Sequence, residues 1–260
     1  MLRILSGLVL IVVFFCGIWY LPPWLLLVVA EGVLLLAFVE YARLAESLGA
    51  RVPRVASAAA AMATCAAVGL GLPLELPLVA ALVGLGGIVV ASRAPGPGVL
   101  ADVAGAVFPA IYLGLPLGAF VALHALAGRE AVLLVLATII VSDSAQYFTG
   151  RVFGRTKLSP AISPKKTVEG ALGGFVLAPL AMAALAPWWL PGRTTGWSLL
   201  VGLAVVGLGI AGDLFESLLK RSAGVKDSSA LIPGHGGVLD RIDAMLFAVP
   251  VFYVLLKYGA

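Results

Sequence analysis

Residues 24–39 read Trp-Leu-Leu-Leu-Val-Val-Ala-Glu-Gly-Val-Leu-Leu-Leu-Ala-Phe-Val, with Glu31 as the single charge and no proline. Apolar all round and close to the roughly 20 residues that cross a bilayer core, this stretch reads as a membrane span rather than the half-polar helix of a soluble domain. Outward from it the same pattern recurs. Apolar runs punctuated by charge, proline and glycine predict nine helical spans at about 4–20, 24–42, 55–71, 76–92, 99–123, 131–148, 171–188, 197–213 and 244–257. Composition agrees. The chain has 260 residues, of which 62% are hydrophobic and 12% charged, with a mean hydropathy of +1.11. Soluble domains carry about 25% charged residues. A water-soluble domain, a disordered chain and a disulfide-stapled secreted scaffold are thereby excluded. The expected fold is all-α: one polytopic membrane domain, with about 1–98 forming N-terminal helices and about 99–260 carrying the polar loops.

The first run follows Arg3 and resembles a signal peptide, but Trp19-Tyr20-Leu21-Pro22-Pro23 offers no small-residue cleavage site. An uncleaved first span is expected. Trp19, Tyr20, Trp24, Trp188, Trp189 and Trp197 fall at span ends, where aromatic belts sit. The basic residues orient the bundle. With the N-terminus inside and the C-terminus outside, only Arg129, Arg193 and Lys257 of the 17 Lys and Arg residues lie outside. The net charge of +4 is therefore read as the positive-inside bias and not as a nucleic-acid footprint. Cys16 and Cys65 lie in apolar runs with no His or second Cys nearby, which suits helix packing rather than a disulfide or a metal site.

Several features mimic sites. Gly207-Leu-Gly209-Ile-Ala-Gly212 spells a dinucleotide fingerprint, but it lies inside a span and not between a strand and a helix, so close helix contact is the better account. No P-loop pattern occurs. Glu31 and Asp102 are intramembrane acids, expensive in hydrocarbon and so expected to face the bundle interior. Asp102 suits a helix N-cap as well as it suits a site.

Polarity concentrates in two inside loops, 149–170 and 214–243. Before the first, Asp143, Tyr147 and Gly150/Arg151 share a helical face. The loop then runs Lys157-Leu-Ser-Pro-Ala-Ile-Ser163-Pro-Lys165-Lys166-Thr167, immediately before a helix start. Basic side chains, a hydroxyl and a helix N-terminus together suit phosphate. The second loop brings Asp213, Glu216 and Lys220 onto one helical face. It continues through Arg221, Lys226-Asp227, Gly234-His235-Gly236-Gly237 and Asp240-Arg241-Ile-Asp243. Two carboxylate pairs near a glycine-rich turn would repel unless a cation sat among them. Hard cations such as Mg²⁺ are commonly shared between one or two carboxylates and substrate phosphates.

The run Ser217–Asp243 fits the signature of the phosphatidate cytidylyltransferases, or CDP-diacylglycerol synthases, at every defined position: S-x-apolar-K-R, four residues, K-D, a small residue, L/I/F-P/G, H-G-G and D-R-x-D. The earlier loop is similar to that family through Asp143, Tyr147, Gly150-Arg151, Phe153-Gly154, Lys157-Leu-Ser-Pro160, Ser163-Pro164, Lys166-Thr167 and Glu169-Gly170. It departs at Ser144-Ala145-Gln146, where Thr-Gly-Ala is usual, and at Val168, where Trp is usual. The motif resemblance covers about 142–243; the first 100 residues are similar in hydropathy and span count alone.

The resemblance implies transfer of a cytidylyl group from CTP to phosphatidic acid, giving CDP-diacylglycerol and pyrophosphate in phospholipid biosynthesis, at the cytoplasmic side of the inner (plasma) membrane. It implies Mg²⁺, with room for a second cation, held by Asp213 and Asp240 with Asp143 and Asp243 near them. Asp213, Asp240, Lys226, Arg241 and His235 would be the catalytic set, His235 orienting the turn or touching phosphate rather than acting as a base. Ser163, Lys165, Lys166, Thr167, Lys220, Arg221, Gly236 and Gly237 would contact the substrates. It also admits a homodimer. A CTP-dependent lipid kinase or an ether-lipid cytidylyltransferase would use similar loops. A transporter built on Glu31 and Asp102 would need midplane polar sites, whereas charge here gathers on one face.

Overall fold

A computed structural model of the chain describes residues 12, 15–232, 234 and 236–259. The expected span at 4–20 lies largely outside the described residues, as do Pro233 and His235; residues 15–20 are helical. Helix α1 (Pro23–Ser47) begins on a proline, whose missing N–H costs nothing in a first turn. Helices α2 (Arg54–Gly69) and α3 (Glu75–Ser92) follow. Helix α4 (Val99–Pro109) passes through a π-helical turn, Ala110–Gly114, into α5 (Leu115–Phe153). This long helical run breaks at Gly128, whose φ of 80° and ψ of 174° are not helical. The break falls where the sequence places the loop between the fifth and sixth spans.

The loop expected at 149–170 is not wholly irregular. It holds an antiparallel hairpin of β1 (Lys157–Ser159) and β2 (Ser163–Thr167), with Lys157 opposite Thr167 and Ser159 opposite Ser163. Apart from this hairpin and an isolated bridge between Ile232 and Gly236, the regular structure among the described residues is helical. Helix α6 (Val168–Trp189) follows directly, then α7 (Thr195–Ser222) and α8 (Leu239–Tyr258). Helix α7 runs nine residues past the expected span end at 213, because nothing from Asp213 to Ser222 breaks a helix.

Among the described residues, five helical stretches are long and apolar enough to cross a membrane: Pro23–Ser47, Glu75–Ser92, Val99–Phe153, Val168–Trp189 and Thr195–Ser222. On α3, Leu76, Val79, Leu82, Val83 and Val90 are all exposed, an apolar surface that suits lipid and not water. The architecture is that of a helical, multi-pass membrane protein.

The chain forms two compact units. The first comprises Met1–Ala122 with Leu219–Arg241, the second Leu123–Leu218 with Ile242–Ala260. In the first, Leu34, Ala37, Ala61, Cys65, Leu85 and Leu113 are buried. Asp102 is buried there too; it pairs with the Arg93 guanidinium and accepts the Arg51 N–H at 2.6 Å. This acid ties the connection before α2 and the end of α3 to the start of α4. In the second unit, α7 and α8 approach at Gly212, where an added Cβ would lie 2.5 Å from the Asp243 carbonyl oxygen and 3.3 Å from the Ala244 Cα. The expected close helix contact is what the packing shows at Gly212, whereas at Gly207 and Gly209 an added Cβ would lie an ordinary 3.7 Å from Phe175 and Ala244.

Candidate functional site: two carboxylate–lysine clusters

One polar cluster in the second unit joins three elements. Helix α5 supplies Asp143, hairpin strand β2 supplies Lys166, and α7 supplies Asp213 and, one turn on, Ser217. The Lys166 ammonium lies 2.6 Å from Asp213 Oδ2, and the Ser217 hydroxyl donates to Asp213 Oδ1 at 3.3 Å. Asp143 lies within electrostatic reach of both Lys166 and Asp213, and the Gln146 amide sits 3.5 Å from its Oδ1. The pair is open: the side chains of Lys166 and Asp213 keep 20% and 34% of their exposure.

The hairpin decides which lysine takes part. Neighbouring side chains leave a strand on opposite faces: Lys166 meets Asp213, while Lys165 is exposed. Thr167 ends the strand buried and accepts the Gly170 N–H at 3.1 Å, which makes it the N-cap of α6. Ser163 is half-buried opposite Ser159.

A second cluster occupies the first unit. Lys220 near the end of α7 pairs with Asp240 at the start of α8, both side chains nearly sealed from solvent. Asp240 Oδ1 takes the Lys220 ammonium. Its Oδ2 takes the Ser228 N–H at 3.0 Å and the Gly237 N–H at 2.8 Å. Burial opposes ionisation of this carboxyl, but Lys220 and the two N–H donors hold it down at about 2. The glycine turn folds back on itself: Ile232 N–H donates to Gly236 O at 2.9 Å, and Gly236 has φ of 78°.

Sequence reasoning did not single out Glu40. It is 2% exposed, near the end of α1, and it accepts the Ser229 hydroxyl at 2.6 Å, the Val238 N–H at 3.0 Å and the Leu239 N–H at 2.8 Å. The Ser228 hydroxyl stands 2.9 Å from both Glu40 Oε2 and Asp240 Oδ2, sharing one proton between them. The signal that could have found Glu40 was an acid near the end of an apolar run.

Arg221, Lys226 and Arg241 are exposed, and Arg221 donates to the Val225 carbonyl at 3.1 Å. Asp243 accepts the Ala244 N–H at 2.7 Å. Asp213 and Asp240 each have a lysine as counter-ion, Lys166 and Lys220 respectively. Among the described residues no three His, Cys, Asp or Glu side chains converge closely enough to hold a metal ion by themselves. Mg²⁺ asks less than that. One or two carboxylates suffice where phosphates and water complete the shell, and the Asp213, Asp143 and Ser217 oxygens fit that requirement.

The sequence model of the cytidylyltransferase family matches residues 1–259. The chain is 44% identical over 131 residues to the uncharacterized protein YnbB of Escherichia coli K12, covering 50% of this chain and 44% of that one. It is 44% identical over 130 residues to a phosphatidate cytidylyltransferase of Haemophilus influenzae, covering 48% and 45%. With a phosphatidate cytidylyltransferase of Synechocystis it shares 46% over 129 residues, covering 48% and 43%. The chain thus spans about half the length of the curated relatives it matches. By the match along nearly its whole length, this chain belongs to the cytidylyltransferase family.

Proposed function

We propose that the chain transfers a cytidylyl group from CTP to phosphatidic acid, forming CDP-diacylglycerol and releasing pyrophosphate. The observation that carries this is the open Lys166–Asp213 pair with Asp143 in electrostatic reach, oxygens and an ammonium gathered beside the start of α6, in a chain of the cytidylyltransferase family. A phosphatidate oxygen, already anionic near neutral pH, attacks the α-phosphorus of CTP. The α–β phosphoanhydride bond breaks and its electron pair leaves with pyrophosphate. No base is needed for that step; bringing two anions together in line is.

Lys166 is free to exchange Asp213 for a phosphate, since both partners are partly exposed. Lys165 is a further exposed cation in the second unit, and Arg221, Lys226 and Arg241 are exposed in the first; each is proposed as a phosphate contact. In this reading Asp213, with Asp143, would hold Mg²⁺, and Asp240, sealed with Lys220, would serve turnover by fixing the start of α8. When bound, Mg²⁺ supplies neutralisation of phosphate charge.

The same reading keeps nine spans, with the helical run Val99–Phe153 crossing twice about Gly128, the N-terminus inside and the site on the cytoplasmic face of the inner membrane. It is supported by the basic-residue bias and by the length of that run, about 80 Å at 1.5 Å per residue against a core of about 30 Å. Cysteines introduced at Ser163 and Thr194 should label from opposite sides; labelling from one side would overturn the topology. The activity is tested by incubating purified protein with labelled CTP, phosphatidate and Mg²⁺. CDP-diacylglycerol with equimolar pyrophosphate is the expected result. Release of CDP instead would identify a lipid kinase.

A further inference from the structure

We infer that Glu40 is a positioning residue, which acts on turnover by holding the loop 228–239 through both of its ends. This rests on the proposed function for the meaning of turnover. The contacts themselves lie within the first unit and stand without it.

Glu40 sits on α1, yet its partners are 188 to 199 positions away in sequence. Each carboxylate oxygen takes one hydroxyl and one backbone N–H. Oε1 accepts Ser229 and Val238, and Oε2 accepts Ser228 and Leu239. The two serines lie where the loop enters and the two N–H groups where it leaves, so one side chain closes the loop like a clasp. Val238 and Leu239 stand at the N-terminus of α8, whose first N–H groups have no partner within the helix. Glu40 supplies partners for two of these orphan donors, and thereby fixes the residue that follows them, Asp240. Gly237 closes the argument. An added Cβ there would lie 2.5 Å from both Glu40 oxygens, so the loop backbone passes directly against the carboxylate. Isolating a buried carboxylate in this way serves no purpose for α1 itself, since all four donors belong to the loop.

Glutamine is the informative replacement. Its amide nitrogen would face a backbone N–H that cannot turn away, whereas a serine hydroxyl can rotate to accept. Glu40→Gln keeps size and packing but loses one of the two helix-start contacts. Glu40→Asp keeps the charge and both acceptor oxygens on a shorter stem.

The test measures CDP-diacylglycerol formation and backbone amide exchange on purified full-length protein, wild type and both variants. For Glu40→Gln we expect kcat to fall at least tenfold, with KM for phosphatidate within twofold. Val238 and Leu239 should exchange at least tenfold faster, and the α2 amides should be unchanged. Glu40→Asp should recover part of the lost turnover. Unaltered kcat in Glu40→Gln overturns the proposal. So does accelerated exchange throughout the first unit, which would make Glu40 a general stabiliser. If the wild type forms no CDP-diacylglycerol while the exchange pattern changes as expected, the proposed reaction fails and the clasp remains.

Discussion

Two carboxylates, Asp213 and Asp240, each meet one lysine, and the two pairs differ in everything else. Around Asp213 the environment is open and sparsely bonded: Lys166 on one oxygen, a long contact from Ser217 on the other, and substantial exposure of both charges. Around Asp240 it is closed. Lys220, Ser228 and Gly237 saturate the carboxylate, and Glu40 encloses the loop behind it. The same ion pair can thus serve as an exchangeable contact or as a structural tie, and solvent access with donor count decides which. An exposed pair contributes about 0–1 kcal/mol and gives way readily to a better partner. A buried one is strongly destabilising to break, because the surviving charge is left without compensation.

The largest effect expected is on activity. Asp213→Asn and Asp240→Asn should each lower CDP-diacylglycerol formation by at least a hundredfold, and EDTA should do the same to the wild type. Near wild-type rates in both variants would remove the carboxylates from the mechanism. Stability should then separate the clusters. Asp240→Asn strands Lys220 in a sealed site and should cost about 3–5 kcal/mol, whereas Asp213→Asn should cost less than about 1 kcal/mol. Denaturation of the detergent-solubilised variants measures both, and equal losses would erase the distinction.

Next in size is the hairpin. Lys166→Ala should slow turnover at least tenfold, about 1.4 kcal/mol of barrier, and Lys165→Ala less than threefold. A reversed order would mean that strand alternation does not select the lysine. The smallest effect is one of pH. The Asp240 carboxyl is held at about 2, below its ordinary value of 3.8. Its contribution to stability is therefore fully present above about pH 4 and is lost as pH falls toward 2. The stability difference between wild type and Asp240→Asn should stay constant from pH 5 to 8 and shrink below about pH 4. Variation within the neutral range would point to a different titrating group.

The helices and the two polar loops were legible because hydropathy, proline and glycine act locally. Gly212 is a clear instance: a small residue within an apolar run implied close helix contact, and Asp243 and Ala244 lie against it. The cytidylyltransferase resemblance was legible for a different reason, since fixed polar positions between Asp143 and Asp243 cannot arise from membrane hydropathy. What escaped was pairing at a distance. Nothing in the spacing of Glu40 announces a loop 188 residues away. Nor could spacing show that Lys166 and Lys220 each compensate a carboxylate, which is why the acids were expected to require a cation. Lys165 and Lys166 looked equivalent as neighbours in a loop and became unequal once that loop was a strand.

Lys166 and Thr167 are consecutive residues with opposite duties: Lys166 reaches Asp213 at 2.6 Å, while Thr167 pairs with Lys157 and caps α6. The lysine is therefore indexed to the helix start and not to the turn at 160–162. A residue gained or lost in that turn should be absorbed by the irregular register between the strands and leave the same lysine on Asp213, whereas one inserted between Lys166 and Thr167 should uncouple the two.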